Sequence, residues 1–306
     1  MTNPSSAALF LLLSLLLFTR PSLAADGDIA QRAERVKLMA EMRSRPDDLT
    51  YAANIRREYE ANFSQINGAD DLRAASDANL DLYWQAISST AFYSDDGGVA
   101  DGAVRVYAEL EHRGMADAEA TDRVFNVLLK ARRFDAARDF AARHTDAKLP
   151  AVPQFIDTDT GDMPSAWQFS ADGSKAKRIG IDLNPLQLIV VAGCHFSEDA
   201  AREITSDPML RPVFARHARW VSLQPGGEDL DALAEWNRKY PQAPMVAIHD
   251  RSEWALISHW AMPTFAVVKD GKVIDSTRGW SSDGPEFRAQ LVALLERARL
   301  LKSDAR

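Results

Sequence analysis

The run Leu188-Ile189-Val190-Val191-Ala192-Gly193 is the feature that most limits how this chain folds. It is apolar at successive positions, so a strand over Leu188 to Ala192 has two hydrophobic faces and needs cover on both. Such a strand belongs in the middle of a mixed sheet covered by helices. The segments around it supply that sheet. Trp220 to Leu223 and Met245 to Ile248 read as strands, and Glu198 to His217 and Asp229 to Tyr240 as helices, the first broken or kinked by Pro208 and Pro212. Ser252 to Ala261 reads as a short helix, and Phe287 to Leu301 as another with Leu291, Leu294 and Leu295 on one face. Upstream, Trp167 to Ser170 and Arg178 to Ile181 flank Asp172-Gly173 as a small hairpin. Alternating strands and helices make this half α/β.

The first half has another character. From Ile29 to about His144 it reads as almost entirely helical, with breaks at Gly68 to Asp71, at Asp95 to Gly98 and at Gly114. Between them, Lys148 to Ser165 holds three prolines, two Asp-Thr pairs and a glycine, a boundary composition. The expected organisation is a leader over 1–24, an all-α domain over 25–147, a linker over 148–164 and an α/β domain over 165–306. Within the helical part, Phe134 to Phe140 resembles the second helix of a tetratricopeptide repeat, although only one unit is recognisable. A helical array of that type offers a concave surface to a partner; a helical domain that merely packs on its neighbour satisfies the same residues.

Cys194 is the only cysteine among 306 residues. It follows the apolar strand and opens a helical pattern, Cys194-His195-Phe196-Ser197. Unpaired backbone N–H groups and the dipole at a helix start favour an anion, so this position favours a thiolate nucleophile. The plain alternative is a small buried hydrophobe, the usual fate of a lone cysteine. A second clue is Met262-Pro263-Thr264 leading through Phe265 to Val268 into Lys269-Asp270-Gly271-Lys272 and Val273-Ile274. This reads as a strand with proline at its entry, an Asp-Gly turn and a second strand.

Together these segments resemble the thioredoxin superfamily, in which a Cys-x-x-Cys motif opens a helix and faces a cis-proline loop. The similarity is closer to the TlpA-like branch, because an additional strand and helix lie between motif and proline. It covers roughly residues 165 to 300. The resemblance implies an α/β thioredoxin-like fold with a lead-in hairpin, a cis peptide at Met262-Pro263 opposite Cys194, and a Met262 backbone free to pair with an extended client segment. It makes Cys194, His195 and Ser197 candidate catalytic residues, and Phe196, Met262, Pro263 and Thr264 candidate substrate contacts. Trp254, Trp260 and Trp280 either extend an apolar binding face or fill the core.

The chain departs from the family pattern at Ser197, where the second cysteine would stand. With no other thiol, no disulfide forms within one chain and a dithiol cycle is excluded by counting. Monothiol exchange remains, with a mixed disulfide that an outside thiol resolves. The Ser197 hydroxyl can hydrogen-bond the thiolate in place of the missing thiol. A protonated His195 favours the thiolate as well, whereas Glu198 and Asp199 oppose it. No carboxylate lies in Leu188 to Gly193 to assist proton transfer beneath the motif.

Two functions are therefore expected. One is a monothiol thiol-disulfide protein acting on protein clients, with a small thiol as resolving agent; the other is an interaction or assembly module without turnover. No cofactor is expected, and no metal: His195, His249, His259 and Asp250 match no ligand spacing. Gly-x-Ser-x-Gly is absent, so Ser197 is not read as a hydrolase nucleophile.

Ala7 to Phe18 is a short apolar block followed by Ser22-Leu23-Ala24, the pattern of a cleaved export signal; the first ten residues hold no Lys or Arg, which leaves an uncleaved anchor as the alternative. The block is shorter than the roughly 20 residues of a membrane span. A periplasmic or secreted location is expected, without a lipid anchor, since no cysteine lies near the cleavage site, and without membrane contact beyond the signal. Removal of Arg20 with the leader takes the formal charge from -8 to -9, which argues against nucleic acid as partner.

Overall fold

A computed structural model describes residues 26–42, 47–64, 68–224, 226–281 and 284–301. The proposed leader, 1–24, lies outside them.

The first half holds α1 (Asp26–Ala40), α2 (Asp48–Phe63), α3 (Ala69–Ala74), α4 (Asp77–Tyr93), α5 (Gly97–His112), α6 (Ala118–Lys130) and α7 (Phe134–Arg143). Four side chains cap these helices, and of them only Asp96 lies in an expected break. Asp47, Ser76, Asp96 and Asp117 each accept a backbone N–H from the first turn of the helix that follows, which satisfies a donor the helix cannot pair internally. Gly114, at φ 68°, turns the chain out of α5.

The second half is an eight-stranded mixed sheet in the order β1-β3-β2-β6-β5-β4-β7-β8. The strands are β1 (Gln154–Ile156), β2 (Ser165–Phe169), β3 (Lys175–Gly180), β4 (Leu186–Val191), β5 (Ala218–Ser222), β6 (Met245–Ile248), β7 (Thr264–Lys269) and β8 (Lys272–Arg278). The apolar run is β4, between parallel β5 and antiparallel β7. β5 and β6 are also parallel, so the chain leaves β4, β5 and β6 at one end of the sheet. The hairpin β2–β3 is antiparallel and pairs with β6 through β2. β1 comes from the proline-containing segment before it and extends the edge beside β3.

The helices here are α8 (His195–Ser206), α9 (Leu210–His217), α10 (Gly227–Lys239) and α11 (Pro285–Arg297). The expected helix over Glu198 to His217 is two helices separated at Asp207-Pro208. Pro212 falls in the first turn of α9, where its missing N–H costs nothing. The expected helix over Ser252 to Ala261 does not form. A single 3-10 turn spans Arg251–Trp254, and irregular chain follows to Pro263.

Alternation along β4 separates two cores. Leu188, Val190 and Ala192 join buried residues of α8 to α11 and of α6 and α7, whereas Ile189 and Val191 join Trp254, Ile257 and Trp260 from the irregular chain. The α6 helix belongs to both halves: Val124, Phe125, Leu128 and Leu129 enter the sheet core, while Val127 enters the core of α1 to α5.

Candidate functional site

β4 ends in Ala192-Gly193, and Cys194 is the residue before α8, with extended backbone at φ -124°. Its carbonyl accepts the N–H groups of Ser197 and Glu198 at 2.9 and 3.1 Å, which fixes the helix start. Its side chain takes no part in capping. The half-buried Sγ lies 3.4 Å from Ser197 Oγ and 3.5 Å from the Met262 carbonyl. The Met262-Pro263 bond is cis, and so is Asn184-Pro185.

Pro263 is buried and leads directly into β7, where Thr264 pairs with Val191 of β4. Thr264 is buried too and donates its hydroxyl to Ala261 O at 2.6 Å, bracing the bend. The Pro263 carbonyl accepts from Gly279 N–H at 2.9 Å. Thus Cys194 and Pro263 are brought together by adjacent strands, one leaving the sheet and the other entering it.

Ser197 is 0 % exposed and its Oγ also accepts the Gly193 N–H at 3.4 Å. Phe196 is 43 % exposed, and the exposed His195 ring packs on it at 3.8 Å between centroids. The sulfur's partners are Ser197 and Met262; His195 faces outward with Phe196. The neighbouring carboxylates are engaged elsewhere: Glu198 pairs with Lys239 at 2.5 Å and Asp199 with Arg202 at 2.6 Å. Hydrogen bonding to Glu198 holds the Lys239 ammonium above its usual range, and hydrogen bonding to Asp199 does the same for Arg202. Each pairing partly neutralises a carboxylate that would otherwise oppose an anionic sulfur.

Gly193 was not singled out by sequence, yet the site depends on it. Its φ of 145° is a glycine conformation, and a Cβ there would lie 3.1 Å from Met262 Sδ. The signal was the glycine ending an unbroken apolar strand, which marks a close approach of another segment.

The three tryptophans are core residues. Trp254, Trp260 and Trp280 are 0 %, 5 % and 3 % exposed, so none extends an apolar face around the proline bend. His249 is bound to Glu253 at 2.8 Å, and Asp250 to Arg132 at the same distance. Among the described residues no group of three His, Cys, Asp or Glu side chains is placed to hold a metal ion. No helix among them is long and apolar enough to cross a membrane.

A lead-in hairpin, a strand delivering the motif to a helix, an intervening strand and helix, and a cis-proline hairpin closing on the motif strand define a thioredoxin-like fold behind a helical region. No family model matches the chain and no curated protein matches its sequence. A solved thioredoxin-like protein from Bacteroides caccae aligns over 82 % of this chain and 95 % of its own, at 12 % identity and a TM-score of 0.27.

Proposed function

We propose that this chain is an exported thioredoxin-like protein whose Cys194 forms mixed disulfides with client proteins. The observation that carries the reading is the placement of the sulfur, half-buried at a helix start, 3.4 Å from a hydroxyl and 3.5 Å from the carbonyl ahead of Pro263. The thiolate attacks one sulfur of a client disulfide. A Cys194–client S–S bond forms, the client's own S–S bond breaks, and its second sulfur leaves as thiolate. The Ser197 hydroxyl, 3.4 Å away, is placed to hydrogen-bond the attacking sulfur. Met262, with the buried Pro263 and Thr264 bracing it from behind, forms the wall against which the client chain lies, and Phe196 with His195 supplies an exposed contact beside it. Because the chain has one cysteine, release comes from outside it: the client's freed thiolate or a small outside thiol attacks the client sulfur and expels Cys194 as thiolate.

On this reading the leader over 1–24 directs the chain to an oxidising compartment, periplasmic or extracellular, where disulfide-bearing clients occur. The reading invokes neither a cofactor nor a metal.

A second reading, an interaction or assembly module without turnover, is favoured by Ser197. Its side chain is fully buried and hydrogen-bonded to Gly193 N–H, as a structural residue would be. Incubation with a denatured, disulfide-bonded test protein, followed by non-reducing electrophoresis, separates the two. The redox reading predicts a dithiothreitol-sensitive band at the summed mass that is lost in Cys194→Ala. No such band in the wild type gives the protein to the second reading.

A further inference from the structure

After the turn at Arg251–Trp254 the chain is irregular as far as Pro263, yet this segment ends at the Met262 carbonyl that meets the Cys194 sulfur. Its apolar side chains Trp254, Ile257 and Trp260 are buried with Ile189 and Val191 of β4. Side-chain burial alone does not fix the backbone here: without a ladder or a helix, each N–H and C=O needs its own partner. Near the bend those partners come from the sheet half. Ala261 O accepts the Thr264 hydroxyl at 2.6 Å, Met262 O lies 3.5 Å from Cys194 Sγ, and Pro263 O accepts the Gly279 N–H at 2.9 Å. The two ties just before them come from the helical half. Ser258 O accepts the Asp48 N–H at 3.1 Å, and the Trp260 N–H donates to Asp48 Oδ2 at 2.9 Å.

Asp48 can make both ties because it opens α2. The first N–H groups of a helix have no partner inside it, and the Asp48 N–H is one of these. Capping is done by the residue before: Asp47 accepts the Thr50 N–H at 2.8 Å and the Thr50 hydroxyl at 2.7 Å, which leaves the Asp48 carboxylate for Trp260. The helix is a firm post. Tyr51 and Ile55 are buried with Ala40 of α1, and the Tyr51 hydroxyl donates to Ala40 O at 2.5 Å. The start of the same connection is held as well, since Arg132, after α6, donates to His249 O at 3.1 Å and pairs with Asp250 at 2.8 Å. Arg251 lies 3.6 Å from Asp95, just before α5. The helical half therefore grips the β6–β7 connection at both ends.

We propose that Asp48 is a positioning residue for the thiol site, fixing the chain two residues before Met262 and so setting where the Met262 carbonyl and the proline bend stand relative to Cys194. The helical half is then part of how the site is built. The proposal deepens the monothiol reading and rests on it for the client that the bend receives.

Hydrogen exchange read by mass spectrometry tests the positioning without any thiol chemistry. Loss of one hydrogen bond to a carboxylate changes a local opening equilibrium about tenfold. Asp48→Ala should speed exchange by about that factor at the amides of residues 258–262 and at Gly279, whose N–H is held by Pro263 on the far side of the bend. The amides of β4 should exchange as in the wild type. Asp48→Asn, which keeps an oxygen acceptor for the Trp260 N–H, should exchange as the wild type throughout. Unchanged exchange at Gly279 in Asp48→Ala overturns the proposal, because the tie then ends at Trp260. Equal acceleration in β4 also overturns it, because Asp48 then supports the fold as a whole.

The consequence for the site is read with a short peptide whose one cysteine is activated as its thionitrobenzoate mixed disulfide. The Cys194 thiolate attacks the peptide sulfur, a protein–peptide S–S bond forms, and the old S–S bond breaks to expel coloured thionitrobenzoate. Iodoacetamide, which needs no wall to lie against, is the reference. Asp48→Ala should lower the peptide rate several-fold relative to the iodoacetamide rate, and Asp48→Asn should restore the ratio. A ratio that Asp48→Ala leaves unchanged overturns the proposal. If the wild type releases no thionitrobenzoate although iodoacetamide modifies it, the client reading fails by itself, and exchange at Gly279 decides whether Asp48 positions the bend.

Discussion

At the scale of single residues, the environment of the Cys194 sulfur is set by two small neighbours. Gly193 holds a backbone conformation closed to other side chains and leaves room for Met262 Sδ. Gly193→Ala should therefore cost about 1–3 kcal/mol of stability in urea denaturation, because both the backbone and the neighbour must move. Ser197 acts on the other side. Ser197→Ala removes one of the sulfur's two partners and the acceptor of the Gly193 N–H. It should cost about 1 kcal/mol and slow alkylation of Cys194 by iodoacetamide, whereas a Ser197 that serves packing alone leaves the alkylation rate unchanged.

At the scale of elements, the chain around β2, β3 and β6 is tied by a polar knot. Glu253 accepts from the Ser165 N–H and hydroxyl at 2.8 and 2.6 Å and from Arg178 at 2.9 Å, while Arg178 also reaches Ser165 Oγ at 2.7 Å. Burial alone would push the Glu253 carboxyl up, but hydrogen bonds from Ser165 and His249 outweigh it and hold the group below the usual carboxylate range. A carboxyl lowered on folding contributes stability above its unfolded value of about 4.3, and that contribution fades as pH falls through the lower folded value. Glu253→Gln should cost about 1–3 kcal/mol at neutral pH, with the gap to wild type closing below about pH 4 in a series of urea melts. A gap independent of pH would show that the carboxylate charge contributes nothing. The knot was not legible in the sequence, since its members come from three separate segments. What was legible follows from local chemistry: β4 from an unbroken apolar run, the β7–β8 hairpin from Asp270-Gly271, and three helix breaks from the glycines and aspartates at Gly68, Asp96 and Gly114. The three-residue β1 carries no pattern of its own, and the chain after Arg251 looks helical although Trp254 and Trp260 are drawn onto the sheet instead. At the site, Cys194, Ser197 and the Met262-Pro263 bend were readable from motif and spacing. Gly193's contact with Met262 was not, because it forms only when distant segments meet.

At the scale of the whole molecule, the halves share a core. Phe134 of α7 stacks on Phe155 of β1 with centroids 3.4 Å apart, and Gln224 bridges them by donating to Leu129 O and accepting from Trp167 Nε1. Arg132 ties α6 to the chain after β6 through His249 O and Asp250. Unfolding should accordingly be one transition, with far-ultraviolet dichroism and tryptophan fluorescence coinciding. Phe134→Ala, at a half-buried position, should lower stability by roughly 2 kcal/mol, and two separated transitions in the wild type would contradict the shared core. The same docking leaves Cys194 half-exposed at the end of the sheet that the helical half approaches. The rate of iodoacetamide modification of this one thiol, native protein against the urea-unfolded chain at neutral pH, tests that placement most directly. A nucleophile presented at the start of α8 reacts in the native protein at least as fast as in the unfolded chain; a sulfur protected by the fold until it unfolds contradicts the account.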